Sequence, residues 1–315
     1  MTKVLICDPL SMQTLEIFEE QGIEAVHEYD LSELKIKDAI SSYEGLVVRS
    51  RTKVTATILS EAKRLRVIGR AGVGVDNIDV AAAGRNGIVV MNSPDATSVT
   101  TAEHTIAMMF ALARNIPAAD RSTHNGNWER SIFMGVQLAG KTLGVVGYGR
   151  IGSIVADRAR NLGMKVLISD PYMLRQRRSD ALHEHVSLDV LLSQSDVVTL
   201  HTSLTDETRN LINSSTLSRM RRGVRIVNCA RGGLIVEADV AAALDSGHVA
   251  GVAIDVFAEE PARQNPLLGR TNVVATPHIA ASTVEAQEQA AVQIARQMAE
   301  FLITGIARNA ITVIS

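Results

Sequence analysis

A chain of 315 residues is long enough for one large or two ordinary domains. Hydrophobic residues make up 46% and charged residues 21%, close to a soluble globular average, while a net charge of −2 and only 3% aromatics leave no footprint for nucleic acid, by charge or by base stacking. Two isolated cysteines, Cys7 and Cys229, make neither a disulfide framework nor a zinc site, so no metal is expected. The opening MTKVLICDPL is too short an apolar run for a signal peptide, and no stretch approaches membrane-spanning length. The expectation is a cytoplasmic protein with neither a membrane nor a nucleic-acid partner.

Short apolar runs alternate with longer, helix-like segments along the whole chain. Strand candidates fall at 3–7, 23–27, 45–49, 66–70 and 87–91, then at 142–147, 165–170, 196–201, 225–230, 249–255 and 272–277. Most are apolar and β-branched on successive residues, the pattern of strands covered on both faces. The intervening segments suit crossover helices, so the pattern is α/β with parallel sheets. These are too many strands for one comfortable sheet, and NSPDATSVT near 93–100 reads as a break. The weakly charged helix expected from Thr101 to Arg114 is buried in a core or against another subunit. A second long helix is expected from Thr283 to Ile303, followed by a short tail. No internal repeat or low-complexity segment is present.

Residues 144–152 read GVVGYGRIG, in which Gly147, Gly149 and Gly152 fit G-x-G-x-x-G between a strand candidate and a helix candidate. The first glycine allows a tight turn, the second lets the backbone approach a pyrophosphate, and the third lets helix pack on strand. Free N–H groups at the helix start attract phosphates. About twenty residues on, a second strand ends in Asp170, where an acid can bond the hydroxyl pair of an NAD ribose and repel the extra phosphate of NADP. The bland alternative is a glycine turn that serves packing alone.

Arg231, Glu260 and His278 each follow a strand candidate, and ligands of open parallel sheets bind beyond the carboxyl ends of strands. Their chemistry is complementary. A histidine passes a proton near neutral pH, a carboxylate on its other nitrogen fixes the tautomer, and a guanidinium holds an α-keto acid through two bonds. Taken singly, each has a plainer reading: a loop histidine after Pro277, an acidic corner at Glu259-Glu260, and an arginine paired with Glu237.

Six motifs, GRAGVGVDNID (69–79), VVGYGRIG (145–152), SDP (169–171), VNCARGGLI (227–235), AIDVFAEEP (253–261) and TPHIAAST (276–283), resemble, in order, those of the D-isomer-specific 2-hydroxyacid dehydrogenases. Within that family, KVLICD, VVRSRTKVT, WERSIFMG and TVEAQ are most similar to the D-3-phosphoglycerate dehydrogenase branch. The resemblance implies two Rossmann-like doubly wound parallel-sheet domains with an interdomain cleft: a discontinuous substrate domain, 1–94 with 284–315, and an NAD-binding domain, 95–283. It implies that Arg231 binds the substrate's carboxylate and keto group, that His278 is the acid/base, and that Glu260 orients it. Gly147, Gly149, Arg150, Ile151 and Gly152 are implied at the pyrophosphate, Asp170 at the ribose, and Thr202, Cys229 and Val73 along the cofactor. Asp255 is implied near the nicotinamide carboxamide. The N–H groups of the loop with Gly72, Val73 and Gly74 are implied to receive the substrate carboxylate. Family members form homodimers through the segment that here runs from Thr101 through Trp128.

The implied substrate is a three-carbon 2-hydroxy acid with an anionic distal group, bound by Arg49, Ser50 and Arg70, with Arg130 reaching from the partner subunit. Two departures from the phosphoglycerate branch, Ile132 for a lysine and Arg51 for a small residue, open the way to a sulfonate or second carboxylate in place of a phosphate. Longer members carry C-terminal domains that bind serine. None is visible before Ser315, so serine is not expected to inhibit. The competing readings are a hydroxypyruvate, glyoxylate or sulfolactate-type enzyme, an NADPH preference opposed by Asp170, and a non-catalytic dinucleotide-sensing corepressor.

Overall fold

A computed structural model describes residues 1–172 and 184–312. The chain divides into two compact units, Met1–Ser98 with Ser282–Ser315, and Val99–Ala281.

The first unit holds β1 (Lys3–Ile6), β2 (Glu24–His27), β3 (Gly45–Val48), β4 (Val67–Arg70) and β5 (Val89–Asn92) in the order β2-β1-β3-β4-β5, every pair parallel. All four residues of β3 are buried, because the sheet is covered on both sides. Ile36, Ile40, Ile58 and Ala83 pack one face, and Phe18, Ile294, Met298 and Leu302 the other. The last three belong to the helix Val284–Thr304. Its seat requires Gly69, where an added Cβ would lie 2.1 Å from the Met298 sulfur. Beyond that helix the chain returns to β5. Ala310 bridges Met91 in antiparallel sense, and the Ile311 N–H donates to the Val90 carbonyl at 2.8 Å.

The second unit holds β6 (Thr142–Val146), β7 (Lys165–Ser169), β8 (Glu184–His185), β9 (Val197–Leu200), β10 (Val224–Asn228), β11 (Val249–Ile254) and β12 (Val273–Ala275). Their order is β12-β11-β10-β9-β6-β7-β8, again parallel throughout. Strand order reverses between β6 and β9 here, and between β1 and β3 in the first unit. At such reversals the loops diverge to opposite faces and leave a crevice for ligands.

The α/β class with parallel sheets is as the sequence pattern implied, and all eleven strand candidates are strands. The twelfth, Glu184–His185, is two polar residues paired to β7 and carries no apolar run to announce it. The helix expected from Thr101 starts at Ser98, inside the stretch read as a break, with the Ser98 hydroxyl bonded to the Pro94 carbonyl. The final helix is capped by the Thr283 hydroxyl, which accepts the Ala286 N–H at 3.2 Å, and ends at Gly305 with φ 78°. β12 is only partly buried because it lies at a sheet edge. Residues 313–315 of the expected tail lie outside the described residues. Among the described residues no helix is long and apolar enough to cross a membrane.

Candidate active site

The β6/β9 reversal forms a cradle. Gly147 has φ 91°, and a Cβ there would meet the His201 carbonyl oxygen at 2.6 Å and the Thr202 nitrogen at 3.0 Å. A Cβ on Gly152 would fall 2.1 Å from the Gly147 oxygen, whereas one on Gly149 would meet nothing within 4 Å. Two glycines therefore close the turn, and the third faces open space. The helix Arg150–Asn161 starts at Gly149 with no side-chain cap, so its first N–H groups, including those of Ile151 and Gly152, face the same opening. Asp170 stands at the turn: its carboxylate accepts the Tyr148 and Tyr172 N–H groups, each at 2.8 Å. An uncapped helix start, open backbone at Gly149 and an acid one strand away fit a dinucleotide. Behind the turn, the His201 ring bonds the Thr199 hydroxyl at 2.9 Å, and burial pushes its pKa down to about 3.

The ends of β10, β11 and β12 carry the three candidate catalytic residues. His278 Nδ1 lies 2.7 Å from Glu260 Oε2, and the other Glu260 oxygen accepts the Phe257 N–H at 3.0 Å. A carboxylate that accepts from Nδ1 leaves Nε2 as the nitrogen that exchanges a proton, and Nε2 makes no hydrogen bond among the described residues. Beside the pair is a concavity of about 620 Å³ walled by Phe257, Pro261, Ala262 and Leu268. Arg231 lies in the next loop, where its Nη1 donates to the Ala230 carbonyl at 2.7 Å. Glu237, the pairing partner considered from sequence, accepts instead from the Ala258 N–H at 3.0 Å. Gly232 is obligatory here, since a Cβ would sit 1.9 Å from the Phe257 carbonyl carbon. The Arg231 turn and the Glu260 loop are thus in direct backbone contact.

Asp255, completely buried, binds the His278 loop itself. Its carboxylate accepts the Thr276 hydroxyl at 2.5 Å and the Ile279 and Ala280 N–H groups at 2.9 Å, and its carbonyl accepts the His278 N–H at 2.8 Å. Burial alone raises this carboxyl, but the bonds from His104, Thr276 and the two N–H groups outweigh it, so its pKa is lowered. His104 Nε2 approaches from the helix Ser98–Ala113, 3.1 Å from the Thr276 hydroxyl. The result holds His278 at φ 54°, an uncommon conformation for a residue with a side chain. Cys229 is buried nearby, and burial together with the Asp255 charge pushes its thiol up to about 12. Neither His104 nor the grip of Asp255 on this loop was read from the sequence. A buried acid directly after an apolar strand, as in VAID, was the available signal.

The remaining candidates, apart from Arg130, lie in the first unit. The β1/β3 reversal puts Asp8 against the RSRT loop: its carboxylate accepts the Arg49 N–H at 2.5 Å and the Thr52 hydroxyl at 3.0 Å. Asn77 donates to both the Arg49 and Thr52 carbonyls, at 2.7 and 2.6 Å, tying the loop with Arg49 and Ser50 to the glycine loop after β4. In that loop the Gly72 N–H is already taken by the Ser93 hydroxyl at 2.7 Å. The N–H groups of Val73 and Gly74 make no hydrogen bond among the described residues. Gly72 has φ 142° and lies under Arg70, whose guanidinium occupies the space of a Cβ. Arg51, considered from sequence as an extra cation for the substrate, pairs with Asp30. Arg130 is on the exposed segment 125–132 of the second unit.

A family described as D-isomer specific 2-hydroxyacid dehydrogenase, NAD binding domain, matches residues 106–280. The chain is 45% identical over 313 residues to a D-3-phosphoglycerate dehydrogenase of Synechocystis sp., covering 99% of this chain and 56% of that protein. It is 46% identical over 315 residues to a D-3-phosphoglycerate dehydrogenase of Methanocaldococcus jannaschii, covering 99% and 59%. It therefore spans a little over half the length of these curated relatives. A solved structure of a protein from Thermus thermophilus superposes with a TM-score of 0.87 at 33% identity, covering 99% of this chain and 100% of that one.

Proposed function

Because the chain belongs to the D-isomer specific 2-hydroxyacid dehydrogenase family, we propose that it is an NAD-dependent oxidoreductase interconverting 3-phosphoglycerate and 3-phosphohydroxypyruvate. The observation that carries this reading is the 2.7 Å bond between His278 Nδ1 and Glu260 Oε2, at the ends of strands that share one sheet with the glycine turn. NAD, when bound, supplies the hydride acceptor. Gly147, Gly149, Arg150, Ile151 and Gly152 hold its pyrophosphate and Asp170 its ribose, with Thr202, Cys229 and Val73 along its length. Arg231 grips the carboxylate and keto oxygen of the substrate and polarises the carbonyl. The imidazolium of His278 gives its Nε2 proton to the keto oxygen on reduction and takes it back on oxidation, while Glu260 steadies the ring through Nδ1. Asp255, whose two oxygens hold the His278 loop, lies near the carboxamide end of the nicotinamide in this reading.

Val73 and Gly74 offer their N–H groups to the substrate carboxylate, with Gly72 and Arg70 framing the loop, and Arg49, Ser50 and a partner's Arg130 take the distal phosphate. The charge of Arg51 is countered by Asp30, which favours the phosphate over a site re-shaped around Arg51. The protein works in the cytoplasm as a homodimer; the exposed apolar Ile116, Trp128, Ile132 and Met134 around the segment 116–134 support the association of two copies.

The test is the initial rate of NADH oxidation with 3-phosphohydroxypyruvate, hydroxypyruvate, sulfopyruvate and oxaloacetate, with His278→Ala as control. A preference for phosphohydroxypyruvate of about a hundredfold in kcat/KM, about 2.7 kcal/mol, is expected. Preference for another anion would move the substrate and leave the chemistry standing. Failure to turn over any 2-keto acid would overturn the proposal.

A further inference from the structure

Asn228 is the last residue of β10 and is completely buried. Its Oδ1 accepts the Ala230 N–H at 3.0 Å, and its Nδ2 donates to the Arg231 carbonyl at 2.9 Å. One carboxamide therefore holds both ends of the short turn from which the Arg231 side chain departs. Its own main chain is fixed in the sheet, where its carbonyl accepts the Asp255 N–H at 2.9 Å. A buried carboxamide is tolerated only when its bonds are made, and here both are spent on this turn. On the other side Gly232 abuts the Phe257–Ala258 backbone, so the turn is trapped between the side chain of Asn228 and the loop leading to Glu260.

We infer that Asn228 is a positioning residue for substrate recognition: it sets the direction of the Arg231 guanidinium without touching the substrate. The inference rests on the reading of Arg231 as the group that grips a 2-keto acid. Without the carboxamide, the Ala230 N–H and the Arg231 carbonyl lose their partners. The turn then relaxes toward other bonds and the guanidinium moves with it. Displacements near 1 Å at a binding group cost about a hundredfold in rate.

The experiment is a double-mutant cycle of Asn228→Ala, Arg231→Gln and the combination, reading kcat and KM for the best 2-keto acid of the wild type, NADH affinity by fluorescence, and Tm. Asn228→Ala is expected to lower kcat/KM by about ten- to a hundredfold, chiefly through KM, with NADH affinity unchanged. In the Arg231→Gln background it is expected to cause no further loss, because no guanidinium remains to be directed. Asn228→Asp, which keeps the acceptor for Ala230 and loses the donor to Arg231, runs the same cycle should the alanine variant not fold. Losses that simply add, with an active wild type, would overturn the inference alone. A wild type that reduces no 2-keto acid would overturn the reading of Arg231 and this inference with it.

Discussion

Glu260 and His278 act as one unit because each is held by something else. Glu260 is fixed by the Phe257 N–H, and the His278 backbone by Asp255. Replacing Glu260 by Gln keeps the size but removes the charge that fixes the imidazole tautomer, so kcat should fall about ten- to a hundredfold while NADH binding stays the same. Rapid-mixing kinetics and a fluorescence titration check the two halves. His201 makes a different prediction. Its ring is neutral in the folded protein, where burial holds its pKa at about 3 against an ordinary value of 6.5. The unfolded chain takes up a proton as pH falls below that ordinary value and the native state does not. Stability from this residue is therefore complete above about pH 6.5 and is lost progressively toward pH 3. The urea midpoint should drop between pH 7 and 5, and His201→Gln should flatten part of that drop. Asp255, with a lowered pKa, acts in the same direction, but only once pH falls below the ordinary carboxylate range.

At the scale of elements, the strand–turn–helix at β6 separates two uses of glycine. A Gly152→Ala side chain collides with the Gly147 backbone, so both Tm and NADH affinity should fall. A Gly149→Ala side chain meets nothing in the protein, so Tm should hold while NADH affinity drops. Calorimetry and a binding titration on the two variants distinguish them, and an unaltered NADH affinity in Gly149→Ala would remove that glycine from the pyrophosphate site. This element was legible because its constraints are local: an apolar run, three glycines at fixed spacing, and an acid one strand later. The positions of Arg231, Glu260 and His278 were legible for a related reason, since strand ends can be counted off the apolar pattern. The bonds that aim those residues were not. Asp8 bonds a loop whose approach depends on sheet order, and Asn228, although its partners lie only two and three residues on, reaches them only once the turn has closed. The Asp8 bond to the Arg49 loop spans 41 positions. β8 was missed because two polar residues pair through the backbone alone.

For the whole molecule, the association of two copies is the property open to direct test. Trp128 is 79% exposed and Met134 82%, and these are the side chains that the proposed homodimer would cover. The wild type should elute as a dimer in light-scattering chromatography, and Trp128→Ser with Met134→Asp should yield a smaller species with the same near-UV spectrum. A wild-type monomer at micromolar concentration would count against the homodimer. A separate consequence follows from the return of residues 309–311 to β5. A strand at the rim of a sheet offers unpaired N–H and carbonyl groups to any passing chain, and buried parallel sheets, rich in valine and isoleucine, are poor places to leave such a rim bare. The tail occupies it in the antiparallel sense, so β5 cannot serve as a template for aggregation. Shortening the chain to Gly305 should therefore show first as turbidity on storage, before any loss of the catalytic groups in the other unit.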